Sequence, residues 1–185
     1  MGGIIHVGGW EGLEYVDHDG PLVIFEPQRR AFQALSRNLG DRADVTLVHA
    51  AAGARTGHVT MFRVAPDHSS SLIEPGRLPS GHARDGEEDV LITTVDLIMN
   101  GMRLVGFDTL RIDTQGYELQ VLKGAAATLN HLDRVEIEAH DPNVYPGAAT
   151  VPDLDAFLTV RGFQRTALAA PGLDDIADVT YERVP

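Results

Sequence analysis

The 185-residue chain has no cysteine, which excludes disulfides, thiolate nucleophiles and Cys-ligated metals. It has one lysine, Lys123, among 15 basic residues, set against 27 acidic ones, for a formal net charge of −12. A protein that grips a phosphate backbone needs a basic face, so this balance argues against a nucleic-acid partner. No apolar run approaches the ~20 residues that span a bilayer. The N-terminus lacks a basic stretch leading into an apolar one, so neither a membrane partner nor a signal peptide is expected, and a cytoplasmic location is. The pattern G-x-x-x-x-G-K-[ST] does not occur, which removes a P-loop for nucleoside triphosphates. No repeat or linker marks a second domain, and residues 1–185 read as one domain large enough for a real core.

What is present is an alternation of short apolar strands and helical spacings, the pattern of a parallel α/β sheet. Strands are expected at 4–7, 22–25, 45–50, 109–112 and 135–139, with further strands at 163–167 and 179–184. Residues 28–39 place Ala31, Phe32, Leu35 and Leu39 at helical spacing. Helices are also expected from 96, over 117–129 and over 154–160. Strands at 58–64 and 90–95 flank a long polar stretch, 65–89, rich in Pro, Gly, Ser and charge. A loop of that length inside a domain is usually functional or disordered, and it is expected to lie over the active site as a lid. Only about nine residues, 13–21, link the first glycine turn to the second strand. A crossover usually takes a dozen or more residues, so the linking helix must be very short.

The first strand runs into Gly8-Gly9-Trp10-Glu11-Gly12, and the second ends in Phe25-Glu26-Pro27. A glycine turn lets backbone approach a ligand, and a carboxylate at the next strand's tip accepts both hydroxyls of a ribose. This is a nucleoside pocket. The dinucleotide pattern G-x-G-x-x-G, aligned on Gly9 and Gly12, places Val7 where its first glycine belongs. Together with the stunted helix, which offers a weak pyrophosphate site, that disfavours an NAD-linked enzyme. S-adenosylmethionine needs glycine approach and a ribose acid but has no pyrophosphate, and fits better. Gly8, Gly9 and Gly12 are then the turn at its methionine portion, Glu26 the ribose acid, and Ala50 and Ala51 small neighbours of its adenine.

An ordered series of segments extends this reading over nearly the whole chain. It includes His6 to Gly12, Phe25-Glu26-Pro27, His49-Ala50-Ala51-Ala52-Gly53, Ser69-Ser70-Ser71-Leu72 and Thr93-Thr94-Val95-Asp96. Its most specific block is Leu110-Arg111-Ile112-Asp113-Thr114-Gln115-Gly116-Tyr117-Glu118, followed by Val121-Leu122-Lys123-Gly124-Ala125 and Glu136-Ile137-Glu138. In these segments the chain resembles the FkbM-type S-adenosylmethionine-dependent methyltransferases. The resemblance implies a class I methyltransferase fold, a Rossmann-like α/β architecture with a seven-stranded, mostly parallel sheet whose last strand is antiparallel. It also implies O-methylation of a small hydroxylated acceptor, a sugar or secondary metabolite. Members more often carry Asp where His6 stands and a small or polar residue where Trp10 stands.

Methyl transfer needs an aligned acceptor oxygen and a group to take its proton. Asp113, at the end of the fourth strand, is a candidate for contact with cofactor or substrate, and otherwise caps the next helix. His140 is the candidate base, with Asp141 as its orienter. Ser70 or Ser71 in the lid would offer hydroxyls to the cofactor carboxylate, with His68 beside them. His6 reads as a core histidine and Glu118 as an acid complementing a helix dipole. Asp113, His140 and Asp141 offer metal-ligating atoms, but no ligand spacing compels a metal, and none is expected. A homodimer is compatible with this reading. A cofactor-binding partner module without catalysis is the alternative, motivated by the stunted helix and a chain that opens at its first strand.

Overall fold

The computed structural model describes residues 2–65, 67–78, 80–102, 106–169 and 176–185. Strand β1 (Gly3–Val7) is followed by a one-turn 3-10 helix (Leu13–Tyr15), β2 (Leu22–Phe25), helix α1 (Arg29–Leu39), β3 (Val45–Val48) and the two-residue β4 (Ala51–Ala52). Strands β5 (Gly57–Ala65) and β6 (Ala83–Thr93) come next, then α2 (Val95–Asn100), β7 (Phe107–Ile112), α3 (Glu118–Gly124) and β8 (Arg134–His140). Helix α4 (Val151–Thr159), β9 (Phe163–Leu168) and β10 (Ile176–Arg183) close the chain.

Seven strands form one sheet in the order β3-β2-β1-β7-β8-β10-β9. Strands β1, β2, β3, β7 and β8 pair in parallel, and β10 runs antiparallel to both β8 and β9. This is the mostly parallel sheet with an antiparallel last strand that the sequence led us to expect. The crossover between β1 and β2 is indeed carried by a single 3-10 turn. Strand order reverses between β1 and β7, and open α/β sheets bind ligands outside the strand C-termini at such a switch point.

The two faces of the sheet are covered unequally. On one, α1 buries Ala31, Ala34, Leu35 and Leu39, and Leu35 and Leu39 pack with Tyr15, Leu22 and Ile24. On the other, α3 and α4 bury Val121, Leu122, Leu154 and Leu158 against Ile5, Val7, Val23, Phe25 and Ile112. All four residues of β2 are fully buried, as befits a parallel strand packed on both faces. Each fully buried Leu contributes about 1.5–3 kcal/mol. Strand register carries the α1 side of the sheet from His6 to Arg111, Glu136 and Thr180. Among the described residues no helix covers this stretch, and it forms a polar cavity of about 280 Å³.

Three local expectations differ from the structure. The strand expected over 45–50 ends at Val48, and Ala51–Ala52 pair with β6 in a second, three-stranded sheet. Within the stretch 65–89, only the described residues 67–78 and 80–82 lie outside the strands, Asp67–Ser69 as a 3-10 turn, because β6 begins at Ala83 and pairs antiparallel with β5. Arg84 to Asp89 carry no apolar alternation, so backbone pairing alone makes this part a strand. Pro66 and Pro79 lie outside the described residues. The helix expected over 117–129 stops at Gly124, and a 3-10 turn (Thr128–His131) follows. Gly124 packs on the backbone of Gly53, where an added Cβ would lie 2.0 Å from the carbonyl oxygen. Asp96 of α2 then accepts from the Ala127 and Thr128 amides at 2.9 and 2.8 Å, which fixes the second turn apart from the first. No helix among the described residues is long and apolar enough to cross a membrane.

Candidate active site

A cavity of about 220 Å³ opens at the C-terminal ends of β1, β2 and β7, where the switch point predicts one. Its lining includes Gly8, Gly9, Trp10, Glu26, Ala50, Ala51, Ser70 and Asp113.

Glu26 follows β2 and is almost wholly buried. The Gln28 amide donates to its Oε1 at 2.7 Å and the Trp10 amide to its Oε2 at 3.0 Å. Trp10 reaches this position with a φ of 47°, an uncommon backbone for a bulky residue. Burial pushes the Glu26 carboxyl up to about 8, and the two amides pull it back only in part.

The glycines divide into two groups. Gly8 and Gly9 line the cavity, yet their lack of a side chain also serves packing. An added Cβ at Gly8 would lie 1.7 Å from the Asp113 carbonyl oxygen, and one at Gly9 would lie 2.0 Å from Ile24. Gly12 is not part of the lining. It sits at φ +65° against α1, where a Cβ would meet Leu35 and Leu39 at 2.5 and 2.8 Å. Packing against α1 therefore accounts for the lack of a side chain at Gly12, which the sequence had placed among the cofactor contacts.

His6 lines the cavity from β1 and is buried. Burial, helped by the nearby Arg111 charge, lowers its pKa to about 3, so the ring is neutral. Its Nδ1 shares a 3.0 Å hydrogen bond with the Tyr15 hydroxyl, while Nε2 is buried without a partner among the described residues. The expectation of a core histidine accounts for Nδ1 only.

In the loop, Ser70 and Ser71 both line the cavity. Ser71 Oγ donates to the Gln115 carbonyl at 2.6 Å and accepts from the Ile73 amide at 2.9 Å, so its hydrogen is committed. Ser70 Oγ accepts from the Val64 amide at 3.1 Å, and its own hydrogen has no acceptor among the described residues. His68 also lines the cavity and stands edge-on to Trp10.

Asp113 extends β7 by donating its amide to the Val7 carbonyl at 2.9 Å. It lines both this cavity and the polar one on the α1 side of the sheet. Gln115, held at φ 55°, donates Nε2 to Asp113 Oδ1 at 2.7 Å. Burial, reinforced by the neighbouring Glu138 charge, raises the Asp113 pKa.

His140 is not among the residues that line the cavity of about 220 Å³. Its Nδ1 lies 3.7 Å from Glu118 Oε1 and its Nε2 3.3 Å from Glu138 Oε1. Burial alone would lower its pKa, but the two carboxylates outweigh that and push it up to about 10. A ring that holds its proton this firmly is a poor acceptor at neutral pH. The expected orienter Asp141 is turned away, accepting from the Asn143 amide at 2.6 Å. Glu118 accepts from the Gly116 amide at 2.7 Å and Thr114 Oγ1 at 3.2 Å, so this acid at the start of α3 fixes the turn after β7.

Sequence reasoning missed Glu138 and Gln115. The signal for Glu138 is strand register: Ile112 pairs with Ile137, which sets Asp113 beside Glu138.

Residues 6–165 match the model of a family described as the methyltransferase FkbM domain. No curated protein matches the chain. Among solved structures, one similar in fold is a protein of the NADB-Rossmann superfamily from Streptococcus agalactiae, with a TM-score of 0.55 and 11% identity over 98% of this chain. This chain spans 62% of that protein's length. An rRNA methylase from Streptococcus thermophilus gives a TM-score of 0.54 at 12% identity, covering 100% of this chain and 87% of the other. Magnesium protoporphyrin IX methyltransferase from Synechocystis PCC 6803 with bound SAM gives 0.54 at 7% identity, covering 98% and 69%. At such identities the likeness is one of fold.

Proposed function

Because the chain belongs to the FkbM methyltransferase domain family, we propose that it transfers a methyl group from S-adenosylmethionine to a hydroxyl oxygen of a small molecule. When bound, this cofactor supplies a methyl group on a positively charged sulfur. The observation that carries the reading is Glu26, a buried carboxylate at the tip of β2 whose two oxygens each take one backbone amide. A carboxylate has about four lone-pair sites, so each oxygen keeps one for a ribose hydroxyl.

Two further groups suit the cofactor. The unpartnered His6 Nε2 and the uncommitted Ser70 hydroxyl are polar atoms in the cavity lining with hydrogen-bonding capacity to spare. Ala50 and Ala51 leave room for a flat base. Asp113, between the two cavities, accepts a hydrogen bond from the acceptor hydroxyl and takes its proton as the new O–C bond forms. His140 stands behind it, its Nε2 3.3 Å from Glu138 Oε1. The segment between β5 and β6 contributes His68, Ser70, Ser71 and Leu72 to the lining, and these residues serve as the cover of the site. The net charge of −12 favours a small acceptor over RNA, although one protein of similar fold is an rRNA methylase.

Calorimetry with S-adenosylhomocysteine tests the cofactor, and absence of binding at millimolar ligand sinks the proposal. Turnover of labelled cofactor with hydroxylated acceptors tests the reaction. Binding without turnover across a broad acceptor panel points instead to a non-catalytic module.

A further inference from the structure

We propose that Asp113, Glu138 and His140 form a binding site for one divalent first-row cation beside the point of methyl transfer. Each of the three offers a ligand atom, and these atoms all lie within 4.8 Å of one another. Opposed ligands of a six-coordinate cation, with bonds of about 2.0–2.6 Å, stand about 4–5 Å apart. The cluster therefore closes on an ion with small side-chain adjustments.

Two observations beyond the clustering point to a ligand. His140 is almost fully buried, and its Nε2 has no hydrogen-bond partner among the described residues. The nearest carboxylate oxygen, Glu138 Oε1, is 3.3 Å away without hydrogen-bond geometry. On the other side of the ring, Nδ1 lies 3.2 Å from the Glu138 carbonyl oxygen, with Glu118 Oε1 behind it at 3.7 Å. A proton on Nδ1 directed at that carbonyl leaves the Nε2 lone pair free, which is how metal-ligating imidazoles are held. In the metal-free protein a proton on Nε2 occupies the place of the cation.

The donor set is one imidazole and two carboxylates. Imidazole suits Zn²⁺, Fe²⁺ and their neighbours, and carboxylate suits Mn²⁺ and Mg²⁺, so Mn²⁺ or Fe²⁺ matches both. Asp141, the third donor considered from the sequence, is engaged elsewhere, and Glu138 replaces it.

The position gives the cation a use, and that use rests on the methyl-transfer reading while the binding does not. Asp113 lines both cavities, and Glu138 lines the polar one. An acceptor entering through the polar cavity would bind the cation through its hydroxyl oxygen, which becomes more acidic. Asp113, bound to the cation through one oxygen, takes the hydroxyl proton on the other. The acceptor oxygen then forms its bond to the methyl carbon as the S–CH₃ bond breaks. The bonding pair stays on sulfur, giving the methylated acceptor and neutral S-adenosylhomocysteine.

Mn²⁺ titration of the full chain, followed by the electron paramagnetic resonance signal of free Mn²⁺, tests the site. The expected result is saturable binding of one ion, weakened at least ~10-fold in Glu138→Gln and in His140→Gln. Pulsed measurements on the wild-type complex should also show coupling to an imidazole nitrogen, a readout that depends on no variant. Lack of saturable binding up to millimolar Mn²⁺, or a bound ion without nitrogen coupling, overturns the site. S-Adenosylhomocysteine binding is measured in parallel. Its retention with no Mn²⁺ bound defeats only the cation site, and its loss with Mn²⁺ bound defeats only the methyltransferase proposal.

Discussion

The Glu26 carboxylate uses one lone pair of each oxygen on the Gln28 and Trp10 amides, so a ligand that donates two hydroxyls completes its shell. Glu26→Ala should therefore weaken S-adenosylhomocysteine binding by ~1–3 kcal/mol, the cost of leaving buried polar groups unpaired. Calorimetry that finds an unchanged dissociation constant would take Glu26 out of the site. The same residue sets a pH dependence. Its pKa stands near 8, raised by burial, and donating hydroxyls bind its ionised form. Below that pH, binding must expel a proton, so affinity rises from pH 7 to pH 9 and then levels, and Glu26→Gln flattens the rise. Glu26 was legible in the sequence because an acid ending an apolar strand is a local pattern. The Trp10 amide that holds it was not, since the pattern does not encode a φ of 47° at a tryptophan.

At the scale of elements, the described residues between β5 and β6 are tied down at several places, among them the Gly76 amide donating to the Val144 carbonyl at 2.9 Å. Phe62 and Ser71 exchange backbone hydrogen bonds at 2.8 and 3.1 Å. The buried Tyr145 hydroxyl lies 2.9 Å from the Ser69 carbonyl and 3.0 Å from Gln115 Oε1, so it joins the loop to the turn after β7. Gly116, in that turn, comes so close to Tyr145 that an added Cβ would lie 2.7 Å from the tyrosine Cβ. Tyr145→Phe removes the one hydroxyl hydrogen that the two acceptors share and should lower stability by ~1–3 kcal/mol in urea unfolding. It should also speed proteolysis within 66–82. A variant as stable and as protease-resistant as wild type would show that the remaining ties, the Phe62–Ser71 bridge and the Gly76–Val144 bond among them, suffice without the tyrosine hydroxyl. The loop's polar composition was readable, but its length was overestimated. Strand β6 lies in a ribbon whose first half exposes side chains on both faces, so periodicity carries no signal there.

Across the whole molecule, acidic groups outnumber basic ones 27 to 15, and the uncovered part of the sheet exposes Glu136, Glu138 and Asp178 beside Arg111. A phosphate backbone meets repulsion over most of such a surface. Gel-shift assays with structured and single-stranded RNA at physiological salt should show no retardation at micromolar protein, and a salt-sensitive shift would reverse the choice of a small acceptor. The sequence by itself determined most strands of the main sheet, the short first crossover, the glycine turn and the acid at the tip of β2, because each is a local pattern of polarity and backbone permissiveness. Only the tertiary structure decided that Gly12 belongs to the packing of α1, that His140 sits between Glu118 and Glu138, and that Asp113, Glu138 and His140 meet. Those outcomes follow from which strands pair and in what register, here Val7 with Ile112 and Ile112 with Ile137. A shift of one residue along β8 would turn Glu138 to the other face of the sheet and dissolve the cluster.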